Sequence, residues 1–481
     1  MTIRVGESAT APSFQKAALP LLQDKQLRHN IAHATDVIQR KRAHVVAETR
    51  DWQDLRTAGN AIKAHTLRHL DHYLLQFEKA CTAAGGHVHW AADADEANAI
   101  IAGLVRQYGH NEVIKIKTMT TDETGLNEAL EQAGIHPVET DLGELILQLG
   151  REKPSHIVGP SLHINRSQVR EIFREQMHLP NLSDEPEKLT AAARRYLREK
   201  FLSVKVGVSG ANFLIADTGS VTIVESEGNG RMCLTMPDVL ISLAGIEKII
   251  PSFRDLGVFL QLLPRSATGE RMNPYNSVWT GVRPGDGPKH FHVVLLDNGR
   301  TRILADPEAR QTLQCIRCGA CLNTCPVYRQ TSGLAYGSGY SGPIGAIVTP
   351  QLLNLQHAQS LPYASSLCGA CYEVCPVKIN IPELLIHLRG RVVREQKSAL
   401  DPEALAMKTA AAIFTSGRRF EAAQRLGRLG QRPFVRQGWV KNLPGMLGNW
   451  TRVRDLRALP PQTFREWWRE RGKKNQGRSD D

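Results

Sequence analysis

No apolar run in this 481-residue sequence approaches the roughly 18–20 residues needed to cross a bilayer. The opening stretch, MTIRVGESATAPSFQKAALP, lacks the apolar centre of a secretory signal. Both absences lead us to expect a cytoplasmic protein. Several catalytic signatures are missing as well. There is no G-x-S-x-G elbow, no H-E-x-x-H zinc helix and no Walker lysine, which argues against a serine hydrolase, a zinc peptidase and a P-loop NTPase. The segment GVSGA (207–211) lacks the third glycine of a dinucleotide loop, and no acidic residue stands about twenty positions further on. No helix-turn-helix is recognisable, so no nucleic-acid partner is expected.

Cysteine is scarce except in one place. Seven of the nine cysteines lie between 315 and 375, as Cys315-Ile-Arg-Cys318-Gly-Ala-Cys321-Leu-Asn-Thr-Cys325-Pro326 and Cys368-Gly-Ala-Cys371-Tyr-Glu-Val-Cys375-Pro376. C-x2-C-x2-C-x3-C-P wraps three thiolates around an iron–sulfur cube and sends the fourth to a second cluster. Zinc has no use for the extra cysteine or for two C-P endings, and cysteines this close rarely reach disulfide geometry. The second group is one cysteine short, with Ser365 at the place of its first thiolate. Crossed ligation gives one cluster Cys315, Cys318, Cys321 and Cys375. It gives the other Cys325, Cys368 and Cys371, with the fourth ligand left open between Ser365, Ser366, water, a remote residue or none. The cofactors expected are two [4Fe-4S] clusters, the second with a non-cysteine ligand or reduced to [3Fe-4S]. This is electron-transfer chemistry.

Length suggests two to four domains, and 42% apolar with 22% charged residues suits a sizeable core. Residues 1–75 read as helical and polar, with His65, His69 and His72 on one helix face, more in the manner of surface histidines than of metal ligands. Residues 76–300 alternate short strands (87–91, 112–119, 136–141, 155–160, a pair within 204–226, and 291–300) with helices. That pattern implies βαβ units and a mainly parallel sheet. Thr218-Gly219-Ser220 reads as a tight turn, or as a small carboxylate site together with a basic residue such as Arg231. Residues 301–395 form the two-cluster ferredoxin-like module. Its glycine-rich stretch 336–350 reads as a flexible loop beside a cluster or a passive connector, and a helix follows Pro376. Residues 396–481 form a basic helical tail. From Arg389 onward 21 Lys and Arg face 9 Asp and Glu, a surplus that matches the whole net charge of +12. With Trp439, Trp450, Trp467 and Trp468 among those charges, the tail suits an acidic partner surface or the membrane periphery.

The cysteine pattern, the segments IADTGS (215–220) and MPDVLISLAG (236–245), and the basic tryptophan-bearing tail together resemble one family over essentially the whole chain. It is the B protein of the three-part lactate-utilisation system of bacteria. The resemblance implies that residues 76–300 adopt a fold similar to sugar-phosphate isomerases and CoA transferases. It also implies an electron carrier in the oxidation of L-lactate to pyruvate, acting with A-type and C-type partner proteins. The family's cluster ligands map onto the seven cysteines in the two sets above. An alternative makes the α/β domain itself the hydroxy-acid site, and a second alternative is a redox-sensing nucleic-acid binder.

Overall fold

The computed structural model describes residues 12–396, 401–448, 451 and 454–476. It divides into two compact units, residues 1–394 and 395–481. Among the described residues no helix is long and apolar enough to cross a membrane.

The first unit is built on parallel strands whose Val/Ile/Leu runs are buried on both sides, as strands sandwiched between helices must be. Its strands are β1 His87–Ala91, β2 Glu112–Lys115, β3 His136–Glu139, β4 Val206–Ser209, β5 Phe213–Ile215, β6 Ser220–Glu225, β7 Val239–Gly245, β8 Ile249–Ile250, β9 Tyr275–Trp279 and β10 His290–Leu296. Six of them form one sheet in the order β1-β10-β7-β4-β2-β3, with every pairing parallel. Side chains alternate between faces. Val239, Ile241 and Leu243 pack under the helices Ala94–Gln107 and Leu126–Gln132, while Leu240 and Ala244 turn toward Leu70–Ala83 and Pro186–Ser203. A second sheet, β8-β5-β6-β9, closes the domain. The turn between β5 and β6 needs glycine at 219. Its φ is +66°, and a Cβ there would stand 2.2 Å from the Cys81 nitrogen.

Two expectations fail. Residues 155–160 form no strand. The His156 ring takes the Val158 and Gly159 amides at 3.0 and 3.1 Å, so these backbone donors go to a side chain and no ladder forms. The stretch expected to be a loop at 336–350 becomes a helix from Gly342 to Leu352 in which every residue is buried. Its glycines serve close packing: a Cβ on Gly345 would meet the Tyr340 carbonyl oxygen at 2.3 Å.

The N-terminal helices Phe14–Leu21, Lys25–Ala47 and Trp52–Arg68 do more than precede the α/β domain. Phe14, Leu27, Ile31, Trp52 and Leu55 share one core with five of the cysteines and with the helix Ile381–Gln396 that follows Pro376. The second unit holds the helices Pro402–Phe414, Gly417–Gln431 and Phe464–Gln476 and a small sheet of β11 Val435–Arg436, β12 Trp439–Val440 and β13 Leu456–Arg457. Glu421 pairs with Arg465 and Arg469, and Glu466 with Arg425 and Arg428. Trp467 and Trp468 remain exposed. Trp450 lies outside the described residues.

Candidate metal centre

The two cysteine groups fold alike. Each begins with a loop in which a non-glycine residue takes a positive φ, Arg317 at +61° and Leu367 at +55°. A glycine follows in each, Gly319 at +73° and Gly369 at +86°. Each loop then enters a five-residue helix, Ala320–Thr324 or Ala370–Val374, which ends on an extended cysteine, Cys325 or Cys375. The turn lets backbone amides face sulfur: Arg317 N–H reaches Cys315 Sγ at 3.4 Å, and Ile379 N–H reaches Cys375 Sγ at 3.4 Å.

Cys315, Cys318, Cys321 and Cys375 line one pocket with Ile316, Ile344, Val377, Ile379 and Ile381. Cys325, Cys368 and Cys371 neighbour one another. Among the described residues no three His, Cys, Asp or Glu side chains converge as they would on a single ion. Four thiols around an apolar space suit the larger, thiolate-held core of a cluster. Burial pushes the Cys371 thiol up to about 12, with Cys325 and Cys368 adding to it. Burial likewise pushes Cys375 up to about 11, against the opposing amide of Ile379. Thiols this basic bind metal by giving up their protons. Cys318, Cys321, Cys325, Cys371 and Cys375 are buried, Cys315 is half-buried and Cys368 is exposed.

The site has features that the cysteine spacing did not reveal. Arg56, buried, donates to the carbonyls of Cys375 at 2.9 Å and Tyr372 at 3.2 Å. Arg42 reaches the Val374 carbonyl at 3.0 Å. Arg317 pairs with Glu247 at 3.3 Å, and Glu247 also holds Arg300, whose guanidinium bonds Glu123 at 2.9 Å with both nitrogens. Burial pushes Lys63 down to about 7 despite Glu247, and Lys248 down to about 8. Arg42, Arg56, Lys63, Lys248 and Arg317 each act on Cys315, Cys318 or Cys375. A cluster held by four thiolates would be an anion, and the positive charge of Arg42, Arg56 and Arg317 would compensate it where water is excluded.

The family model described as "Lactate utilisation protein B, C-terminal" matches residues 387–473, "LUD domain" matches 74–296, and "4Fe-4S dicluster domain" matches 311–379. Lactate utilization protein B of Oceanobacillus iheyensis is 41% identical over 484 residues, covering 100% of both chains. The protein of that name from Bacillus subtilis is 40% identical over 98% of each chain. The chain belongs to the lactate utilisation protein B family. As in the sequence-based expectation for this family, a parallel-sheet α/β domain precedes an iron–sulfur dicluster domain and a helical C-terminal region. The solved structure of a DUF162 family protein from Deinococcus radiodurans aligns with 47% of the chain and 98% of its own length. At 12% identity and a TM-score of 0.27 it carries no argument.

Other residues singled out in this family member fall away from the cysteines. His65, His69 and His72 are exposed, and His65 bonds Tyr73 at 3.0 Å. Ser220 bonds Thr218 at 2.7 Å and Thr280 at 2.5 Å, closing the turn on itself. Arg231 lies over the Tyr275 ring. The structure therefore does not bring Thr218, Ser220 and Arg231 together as a carboxylate site. A cavity of about 230 Å³ with a mixed polar and apolar lining lies elsewhere, bounded on its polar side by Lys117 after β2, Asn212, Glu227, Lys248 and Arg317.

Proposed function

We propose that this protein is an iron–sulfur electron carrier in the oxidation of L-lactate to pyruvate, holding two [4Fe-4S] clusters by crossed ligation. Cys315, Cys318, Cys321 and Cys375 would bind the first, and Cys325, Cys368 and Cys371 the second. Each cluster takes up and releases one electron, so two in series suit a substrate that gives up two. The observation that carries the reading is the pair of matching cysteine loops, with four thiols from both loops around one apolar pocket. Partners of the A and C types, in the cytoplasm or held at the membrane through those partners, are what relatives named for lactate utilization suggest. The test is native co-purification from lactate-grown cells, with partner identification and iron analysis. Reduction of the clusters by L-lactate in the assembled complex, followed by EPR, supports the reading. A complex that oxidises lactate while these clusters stay oxidised overturns it.

A second reading, in which the α/β domain itself binds a hydroxy acid, is favoured by the cavity beside Arg317. Lys248 there is 8% exposed and makes no hydrogen bond or ion pair with a described residue. An ammonium left unpaired at the wall of a cavity suits a carboxylate ligand. Calorimetry of the full chain with L-lactate and pyruvate should give saturable binding that Lys248→Met abolishes, and flat isotherms would exclude this reading.

A further inference from the structure

We propose that Ser365 is the fourth protein ligand of the second cluster, its Oγ binding the iron that Cys325, Cys368 and Cys371 leave without a thiolate. This rests on the crossed ligation proposed above. The argument is an internal repeat with an offset of fifty residues, which carries Cys315, Cys318, Cys321 and Cys325 onto Ser365, Cys368, Cys371 and Cys375. The backbone repeats with the sequence. Besides the paired positive-φ residues, Leu322 N–H bonds the Gly319 carbonyl at 2.9 Å, and Tyr372 N–H bonds that of Gly369 at 2.9 Å. Cys325 N–H reaches Leu322 O at 3.1 Å, and Cys375 N–H reaches Tyr372 O at 3.2 Å.

The side chain repeats too. Leu367 N–H donates to Ser365 Oγ at 3.1 Å, as Arg317 N–H donates to Cys315 Sγ at 3.4 Å. The Ser365 oxygen is thus turned, by the same two-residue bond, to the place that sulfur holds in the first loop. Cys315 lines the cluster pocket from that place. Ser365 is half-buried like Cys315, whereas the neighbouring hydroxyl of Ser366 is exposed and corresponds to Ile316. The titratable groups acting most strongly on Cys325 and Cys371 are other cysteines of the set, with no carboxylate or imidazole among them. An oxygen donor loses its proton on binding iron, and the Leu367 amide remains available to the resulting anion.

The full chain is purified anaerobically as Ser365→Ala, Ser365→Cys and the unaltered protein, and compared by iron and sulfide content, Mössbauer spectroscopy and EPR. The unaltered chain should hold about eight irons, as two four-iron clusters require. Ser365→Ala should fall toward about seven, with a three-iron signal in the oxidised protein and the first cluster intact. Ser365→Cys should retain the iron while changing the second cluster's spectrum toward that of a four-thiolate site. A Ser365→Ala protein with full iron and an unchanged spectrum overturns the assignment, as does a three-iron second cluster in the unaltered chain. Cys368→Ala, run in parallel, separates the two claims. If it spares the second cluster, the thiolate set itself is wrong. If it empties that cluster while Ser365→Ala does nothing, the thiolate set stands and the serine ligand is wrong.

Discussion

Arg56 carries a full charge 7% exposed to solvent, with its nitrogens on the carbonyls of Tyr372 and Cys375 in the last turn of the second cysteine helix. Reduction adds an electron to the neighbouring cluster, so this cation favours the reduced form. A unit charge about 8–16 Å away at an effective dielectric near 20 contributes on the order of 1–2 kcal/mol. By the one-electron conversion this is about 50–90 mV. Arg56→Met should lower the first cluster's potential by about that amount while the second moves less, as potentiometry followed by EPR would measure. Equal shifts in both would remove Arg56 from the first cluster's surroundings. The cysteines carry a second prediction. Cys375 follows Cys371 closely in sequence but lines the pocket of Cys315, Cys318 and Cys321. The EPR spectrum of reduced Cys375→Ser should therefore resemble that of Cys318→Ser, and a match to Cys368→Ser would mean that each loop keeps its own cluster. The cysteines were legible in the sequence because a cluster demands fixed spacing of one residue type. Arg42 and Arg56 were not, because a helical arginine reads as solvated until a partner more than three hundred residues away buries it.

At the scale of elements, the short helix after β7 meets the first cysteine loop through Glu247. This carboxylate is 1% exposed, and Arg300, Arg317 and Lys248 overcome the upward push of burial and hold it down at about 2. Its stabilising contribution is complete above the ordinary carboxylate value of 4.5 and is lost as pH falls toward 2. Glu247→Gln would leave two buried guanidiniums undercompensated. It should destabilise the first unit by about 3–5 kcal/mol at neutral pH and flatten the acid limb of its stability profile. Chemical denaturation across pH checks both, and an unchanged acid limb would assign the acid loss to other groups. The βαβ rhythm of this domain was readable where β1, β2 and β3 alternate with the helices Ala94–Gln107 and Leu126–Gln132. Residues 155–160 were misread because SHIVGP has a strand-like apolar pair, yet its amides are claimed by the His156 ring. The buried helix from Gly342 was missed because its glycines and prolines lower helix propensity, and packing against Leu322 and Tyr340 overrides that cost.

At the scale of the molecule, all seven module cysteines lie in the first unit, while most of the charge surplus (18 Lys and Arg against 9 Asp and Glu from residue 395 onward) and the exposed Trp467 and Trp468 lie beyond it. Removing residues from 397 onward should leave iron and sulfide per chain unchanged and abolish growth on L-lactate. Tryptophan and arginine are the residue types that dominate partner contacts. Loss of iron would make the second unit a support for the clusters, and normal growth would make it dispensable. The N-terminal helices raise a matter of timing. Arg42 must wait for the carbonyl of Val374, 332 residues downstream, before its guanidinium has a partner. At synthesis rates of about 5–20 residues per second, that wait is on the order of 15–65 s. Through this interval the nascent chain presents the faces of Phe14, Ile31 and Trp52 without their final cover. The first cysteine loop is synthesised while the second is still to be made. The two ends of the first unit close together, so a first cluster that takes its last thiolate from Cys375, as proposed above, would be completed only at the end of that unit's synthesis.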